Sequence, residues 1–310
     1  MFQGQNYANI EPVFPVKENV IMAENIQGGC AMNNQNQQQQ AQDKEIEQSL
    51  SRIKHKILVM SGKGGVGKSS VAVYLAGALA KKGKKVGLMD VDLHGPSIPR
   101  MLGLKGTFQS SANGQKAKPI EYLPNLKVIS VEPLMGDNKD AATIWRGPIK
   151  IGVIRQFISD IEWNDLDYLI IDSPPGTGDE PLTVAQTIPG AEALIVTTPQ
   201  EVSLADVRKS ISFCRQVNMK ILGLVENMSG LNCPHCGKNI ELFKTNGGML
   251  TAKKESLRFL GRLPLDPEVV LQGDAGGLTI LEKDDIAFSR EFNKMADEIV
   301  NVHDRGDELH

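Results

Sequence analysis

The segment GKGGVGKS at residues 62–69 constrains the fold of this chain more than any other feature of the sequence. It fits the pattern G-x-x-x-x-G-K-[ST] and lies between an apolar run at 56–60 and a helical pattern that follows. Glycines let a backbone turn tightly enough for its amides to surround phosphate oxygens, and the helix adds the positive end of its dipole. We therefore predict a nucleoside triphosphate site at this segment, the P-loop: Gly62, Lys63, Gly64, Gly65, Val66, Gly67, Lys68 and Ser69.

Within the P-loop, two side chains have predicted contacts with the nucleotide. Lys68 would neutralise the β- and γ-phosphates of ATP, and the Ser69 hydroxyl would bind Mg²⁺. Lys63 is an unusual second lysine in such a loop. It either places another cation beside the triphosphate or is a solvated surface charge.

Short apolar runs alternate with helical patterns from residue 56 onward. Several runs are apolar without alternation, which is typical of strands that helices cover on both faces. The pattern predicts an α/β fold with a doubly wound, mostly parallel sheet and helices on both faces. The predicted strands lie at 56–60, 85–89, 126–131, 168–171, 193–197, 220–225 and 259–263, and the predicted helices at 69–82, 148–160, 181–188, 203–217 and 284–302.

The first fifty residues differ in composition from the rest of the chain. Asn and Gln dominate residues 25–42 and form an unbroken run at 33–40. Such a segment buries too little apolar surface to offset the entropy of the chain. We therefore predict a disordered tail at 1–50, then one ATPase domain at 51–305.

The overall composition excludes several classes of protein. With 34 Lys and Arg against 37 Asp and Glu, the net charge of −3 does not favour general binding to nucleic acid or to acidic lipid. No run approaches the roughly 18 apolar residues of a membrane helix, and the N-terminus lacks the features of a secretory signal. Four cysteines form no disulfide framework. We expect a cytoplasmic protein with no nucleic-acid or membrane partner.

Carboxylates follow two of the predicted strands. Asp90 and Asp92 come after the second strand, and Asp172 comes after the fourth, where a turn rich in Pro and Gly begins. The carboxyl ends of parallel strands meet at one edge of a sheet, so these side chains should face the P-loop. Asp172 has the position of a Walker B aspartate. We predict that it supports Mg²⁺ together with Asp90 and Ser69, and that Asp92 orients the attacking water. The alternative is that they are turn or cap residues.

The motif CPHCG places Cys233 and Cys236 at a spacing that suits one metal centre, and Gly237 eases the turn between them. One chain lacks the remaining ligands, but two copies would supply four cysteines for a [4Fe–4S] cluster or zinc. Thiol–disulfide exchange is another use of this spacing. The third possibility is that the pair neither binds a metal nor exchanges disulfides. Cys214 lies in a helical pattern and is predicted to be a buried small hydrophobe.

Together these motifs resemble the Mrp/ApbC family of ATP-dependent iron–sulfur cluster carriers, relatives of MinD, ParA and the nitrogenase iron protein. The resemblance covers about residues 54–300 and rests on linked segments at 62–69, 90–103, 145–148, 167–180 and 225–237. It implies a homodimer in which Lys63 reaches the nucleotide of the partner and has a catalytic role with Asp92. Asn227 and the loop with Pro264 and Asp266 would border adenine.

The same resemblance implies that Cys233 and Cys236 of both subunits hold a labile [4Fe–4S] cluster in a loop at 228–240. Binding and slow hydrolysis of ATP would regulate delivery of this cluster to apo iron–sulfur proteins. No arginine finger is evident apart from Arg146, a weak candidate. The tail has only Cys30 where one branch of the family has four cysteines, so a carrier of the prokaryotic type fits better.

Two other functions stay open from the sequence. One is a positioning ATPase of the MinD/ParA type, which would need a basic amphipathic helix or a basic surface. Residues 282–310 carry nine acids against four Lys and Arg, which does not favour that reading. The other is a P-loop ATPase in which the cysteine pair binds a structural zinc ion.

Overall fold

The computed structural model of this chain describes residues 30–93, 95–104, 108–111, 116–132, 147–233, 235–283 and 285–307. The helices are α1 (Cys30–Ser51), α2 (Lys68–Lys81), α3 (Ile98–Met101), α4 (Gly147–Ser159), α5 (Asp179–Thr187), α6 (Glu201–Gln216), α7 (Gly247–Lys254), α8 (Pro267–Ala275) and α9 (Ala287–Asp307). The strands are β1 (Ile53–Ser61), β2 (Val86–Asp90), β3 (Gln109–Ser110), β4 (Ala117–Lys118), β5 (Ile120–Leu123), β6 (Leu126–Ile129), β7 (Leu166–Asp172), β8 (Ala191–Thr197), β9 (Lys220–Glu226), β10 (Leu231–Asn232), β11 (Asn239–Ile240) and β12 (Phe259–Arg262).

An eight-stranded sheet in the order β12-β9-β8-β1-β7-β2-β6-β5 organises the domain. Its strands run parallel except β5, which pairs antiparallel with β6 at one edge. Each of the seven predicted strands overlaps a strand of this sheet, and the predicted helices correspond to α2, α4, α5, α6 and α9. The predicted fold class is confirmed.

Helices cover both faces of the sheet, as the unbroken apolar strands predict. In β1, Ile57 and Val59 pack on one face with α2 and α9, whereas Leu58 and Met60 pack on the other with α4 and α6. Each face therefore has its own hydrophobic cluster. The sheet is buried between them, and its strand ends position the loops that follow.

Helix α1 corrects the predicted boundary of the tail. Its C-terminal part lies on the domain, with Ile46 and Leu50 only 6% and 5% exposed. Arg155 of α4 donates to Gln42 and Asp43, and Lys116 pairs with Glu45 at 2.8 Å. Glutamine is a good helix former, so two buried apolar side chains and these ion pairs suffice to order the segment. The domain therefore begins before residue 51, and residues 1–29 of the predicted tail lie outside the described residues.

The carboxyl edge of the sheet gathers the predicted nucleotide residues. Strands β1, β7 and β2 are neighbours, and the register sets Asp90 beside Asp172 and Asp172 beside Val59. The P-loop leaves β1 at this same edge. The parallel topology, rather than proximity in sequence, brings these residues together.

Candidate functional site

In the P-loop, the backbone of two glycines lies very close to other segments of the same chain. Gly67 has φ +80°, and a Cβ there would lie 2.2 Å from Nδ2 of Asn227. A Cβ on Gly62 would lie 2.4 Å from the backbone carbonyl carbon of Asp206. No side chain fits at either position, so glycine is required by space and, at Gly67, also by backbone conformation.

Lys68 opens helix α2 and is buried in an ion pair with Asp172. Its Nζ lies 2.6 Å from Oδ1 of Asp172, 3.3 Å from Oγ of Ser69 and 4.0 Å from Oδ2 of Asp92. The structure thus brings together Lys68 and Ser69 with Asp172, which the sequence assigns to Mg²⁺, and with Asp92, which the sequence assigns to the attacking water.

One buried carboxylate oxygen of this crevice has no partner in the described part of the chain. Within the described residues, Oδ2 of Asp172 is buried without a hydrogen-bond partner, which is costly unless a ligand supplies one. Asp90 is fully buried and accepts from Ser130 Oγ and the Asp92 amide, both at 3.1 Å. Burial raises the pKa of Asp90 well above its usual range, and the neighbouring Asp172 raises it further. Burial also raises the pKa of Asp172, although Lys68 opposes this.

Such a crevice fits a divalent cation, because a cation would favour the ionised form of both carboxyls and satisfy the open oxygen. Among the described residues, no cluster of three or more His, Cys, Asp or Glu side chains could by itself hold a metal ion. A cation bound here would take its other ligands from Ser69, from phosphate oxygens and from water. This is the donor set that P-loop proteins offer to Mg²⁺.

Lys63 is half-buried, and its backbone carbonyl accepts from Oγ of Ser61 at 2.9 Å. Its ammonium group forms no ion pair with a carboxylate in the described part of the chain. The predicted reach of this lysine to a partner subunit stays a prediction.

Asn227 lies against the P-loop. Its side-chain Nδ2 donates to the carbonyl oxygen of Val66 at 2.9 Å, and its backbone N–H donates to the carbonyl oxygen of Thr197 at 2.7 Å. The loop after β12 lies beside it, since the Ser229 amide donates to Leu263 at 3.0 Å. In that loop Asp266 caps helix α8 by accepting from the Glu268 amide at 2.9 Å. The assignment of Asn227, Pro264 and Asp266 to an adenine pocket stays a prediction.

The cysteine pair lies at the tip of a two-stranded hairpin made by β10 and β11, in which Leu231 pairs with Ile240. The Gly237 amide donates to the Cys233 carbonyl at 2.8 Å, and Gly237 has φ +69°. Cys233 is half-buried and Cys236 is exposed. Hydrogen bonds from the amides of His235 and Cys236 lower the pKa of the Cys233 thiol, which favours the thiolate that binds metals.

Cys214 differs from this pair in its burial and in the pKa of its thiol. It is fully buried in helix α6, and burial raises the pKa of its thiol to about 12. The prediction that it is a buried hydrophobe is confirmed. Arg146, Pro234 and the start of the 145–148 segment lie outside the described residues.

Sequence reasoning missed two buried carboxylates beside the site. Glu226 ends β9, and Glu132 follows β6 and accepts from Nε of Arg100 at 3.3 Å. Both lie at strand ends on the same edge as Asp90 and Asp172. That position is the signal that could have identified them.

Comparisons with known proteins identify the family of this chain. Residues 52–300 match the family described as NUBPL iron-transfer P-loop NTPases, of the ParA type. An iron–sulfur cluster carrier protein of Methanocaldococcus jannaschii is 49% identical over 260 residues, which cover 84% of this chain and 88% of that relative.

Two solved structures have a similar fold. A nucleotide-binding protein from Archaeoglobus fulgidus in complex with ADP has a TM-score of 0.69 and 40% identity, covering 79% of this chain and 96% of its own. The cell division ATPase MinD of Pyrococcus furiosus has a TM-score of 0.56 at 22% identity, covering 80% and 99%, and shows the fold alone. No helix in the described part of this chain is both long and apolar enough to cross a membrane.

Proposed function

This chain belongs to the NUBPL iron-transfer P-loop NTPases, and from that membership we propose that it carries iron–sulfur clusters under the control of ATP. The observation that carries the proposal is the pair of thiols at the tip of an exposed hairpin that follows Asn227, whose side chain contacts the P-loop. An exposed tip lets a cluster be received and released. The contact at its base gives the nucleotide a way to influence it.

The nucleotide is bound by the P-loop amides, with Lys68 on its phosphates. In the present arrangement Lys68 is paired with Asp172, so phosphate must draw the ammonium away from that carboxylate. Ser69, Asp90 and Asp172 would hold Mg²⁺, which neutralises phosphate charge when bound. The unpartnered oxygen of Asp172 supports this assignment.

Hydrolysis uses a water molecule that Asp92 orients toward the γ-phosphorus. The new P–O bond forms as the bond to the β–γ bridging oxygen breaks, and the products are ADP and phosphate. Lys63 of a second subunit would stabilise the developing charge. Turnover is slow, since no strong general base lies in the described crevice.

The cargo is a [4Fe–4S] cluster that two subunits share. Each chain offers two thiolates, and a cluster of this type takes four, so a homodimer completes the site. Apo iron–sulfur proteins are the recipients. A reducing, cytoplasmic location keeps both thiols free for the cluster.

The test is the content of iron, acid-labile sulfide and zinc per chain after anaerobic reconstitution, with the visible absorption band. We expect about two irons and two sulfides per chain, as a four-iron cluster shared by two chains requires. Cys233→Ala should lose both, whereas the control Cys214→Ala should keep them because that thiol is buried elsewhere. Lys68→Ala should lose nucleotide binding but keep the iron.

Two results would contradict the carrier. Zinc without iron would replace it with a structural zinc site, for which the amide hydrogen bonds to Cys233 are equally suitable. Full iron content in a Cys233→Ala/Cys236→Ala double variant would place the cluster elsewhere.

A further inference from the structure

The segment 230–245, which we call the cysteine hairpin, is held to the domain at its base rather than along its length. No described residue from 231 to 247 is buried, so the hairpin adds almost nothing to the core. A segment with few buried contacts takes its position from the points at which it joins the rest of the fold. The contacts around Ser229 and Asn246 therefore decide where Cys233 and Cys236 lie.

One buried carboxylate, Glu226, binds both of these points. Its Oε1 accepts from the Ser229 hydroxyl at 2.5 Å, where the chain leaves the domain, and from the Asn246 amide at 3.1 Å, where it returns. Its Oε2 accepts from the Gly248 amide at 2.5 Å. Glu226 is fully buried, so these bonds are shielded from water.

The start of helix α7 is built to approach this carboxylate. Asn246 has φ +70° and precedes two glycines. A Cβ on Gly248 would lie 3.0 Å from both Cβ and Oε2 of Glu226. The free amides at the start of a helix carry partial positive charge, and the Gly248 amide that donates to Glu226 is one of them.

The next residue, Asn227, faces the nucleotide site. Successive side chains at a strand end point in opposite directions. Accordingly Asn227 donates to Val66 of the P-loop, while Glu226 binds the base of the cysteine hairpin. Two adjacent residues thus join the nucleotide site to both ends of the segment that carries the thiols.

We infer that Glu226 is a positioning residue that couples the state of the P-loop to the cysteine hairpin. A displacement of Val66 on nucleotide binding shifts Asn227 and, through Glu226, both ends of the hairpin together. The use of this coupling in cluster transfer rests on the proposed function, whereas the coupling itself involves no metal.

Glu226→Gln tests it with the least change in shape. Both oxygens of Glu226 face donors, whereas glutamine has one acceptor and an NH₂ group. If the NH₂ group replaces Oε2, it faces the Gly248 amide and that bond is lost; if it replaces Oε1, it faces the Asn246 amide and that bond is lost, although the Ser229 hydroxyl can turn to accept. Ser229→Ala removes a single bond and serves as a second, milder variant.

The measurement is the rate at which iodoacetamide alkylates Cys233 and Cys236 in metal-free protein, resolved by site with mass spectrometry, with and without saturating Mg-ADP. In the wild type we expect ADP to change this rate about fivefold, at the low end of couplings between two sites. In Glu226→Gln the ratio should fall to about one, and amide hydrogen exchange over 230–245 should rise about tenfold. Calorimetry confirms that ADP is bound in each case.

Glu192→Gln is the matched control, because Glu192 is also buried and hydrogen-bonded but lies at the opposite edge of the sheet. It should keep the wild-type ratio. The inference is overturned if Glu226→Gln and Ser229→Ala keep that ratio, if Glu192→Gln loses it equally, or if ADP has no effect in the wild type. Iron content is measured separately, so failure of the coupling and failure of the carrier are distinguished.

Discussion

Glu192 shows how one residue can tie the stability of this fold to pH. It lies near the amino end of β8 and accepts from Nε2 of His303 at 2.6 Å and from Lys220 at 2.5 Å. Burial raises the pKa of Glu192, but these two partners outweigh burial and lower it from 4.5 to about 2. His55 stacks on His303 at 4.1 Å, and Tyr168 contacts its other nitrogen.

A lowered pKa in the folded state means that folding favours the ionised form. The stabilisation is present above the unfolded pKa of 4.5 and is lost as the pH falls toward 2. We expect the unfolding free energy of Glu192→Gln to fall less between about pH 5 and pH 3 than that of the wild type. Urea unfolding at each pH measures this, with the exposed Glu47→Gln as control. Parallel pH curves for wild type and Glu192→Gln would contradict it.

At the scale of elements, the sequence predicts what depends on local periodicity. Helices α2, α4, α5, α6 and α9 and seven strands of the sheet are predicted because their apolar spacing is strong. Helix α7 is missed because two glycines begin it. Helix α8 is missed although Asp266, Pro267 and Glu268 form a good N-terminal signal, since that segment is interpreted as a nucleotide loop.

Helix α1 is missed for a different reason. Its composition predicts disorder, and its order comes from contacts with α4 that no local pattern encodes. We therefore expect Leu50→Ala to lower the unfolding free energy by about 2 to 4 kcal/mol, as for other buried leucines. The exposed Gln38→Ala should change it by less than about 0.5 kcal/mol. Thermal and urea unfolding compare the two variants. Equal, small effects would mean that α1 is not part of the cooperative fold.

At the scale of the whole molecule, the structure brings together those predicted site residues that come from one segment or from neighbouring strand ends. The P-loop is a single segment, and Asp90 and Asp172 follow from strand ends at one edge. The attachment of Glu226 to Asn246 and Gly248 is not predictable, because it depends on how a return segment packs against a strand. Pairing of this kind is set by tertiary structure.

The half-site at Cys233 and Cys236 leads to a prediction about assembly. Without nucleotide, the reconstituted protein should sediment at twice the 33.8 kDa of one chain, because two thiolates fill half of the four cluster positions. Cys233→Ala/Cys236→Ala should sediment as one chain under the same conditions. Analytical ultracentrifugation at matched concentrations measures the mass of each protein. A cluster-loaded protein with the mass of one chain would rule out the shared site.

The pairing of β1 has a consequence for how the protein folds while it is being synthesised on the ribosome. Ile57 lies beside Ile170 and Glu192, so the strand that leads into the P-loop gains its neighbours about a hundred residues after it is made. Asn227, which contacts the P-loop, emerges later still. At about 5–20 residues per second, the nascent β1 stays unpaired for of order ten seconds. During that interval the apolar run at 57–60, which is buried in the folded domain, is exposed, and a chaperone that binds such runs would act on this chain before any nucleotide could.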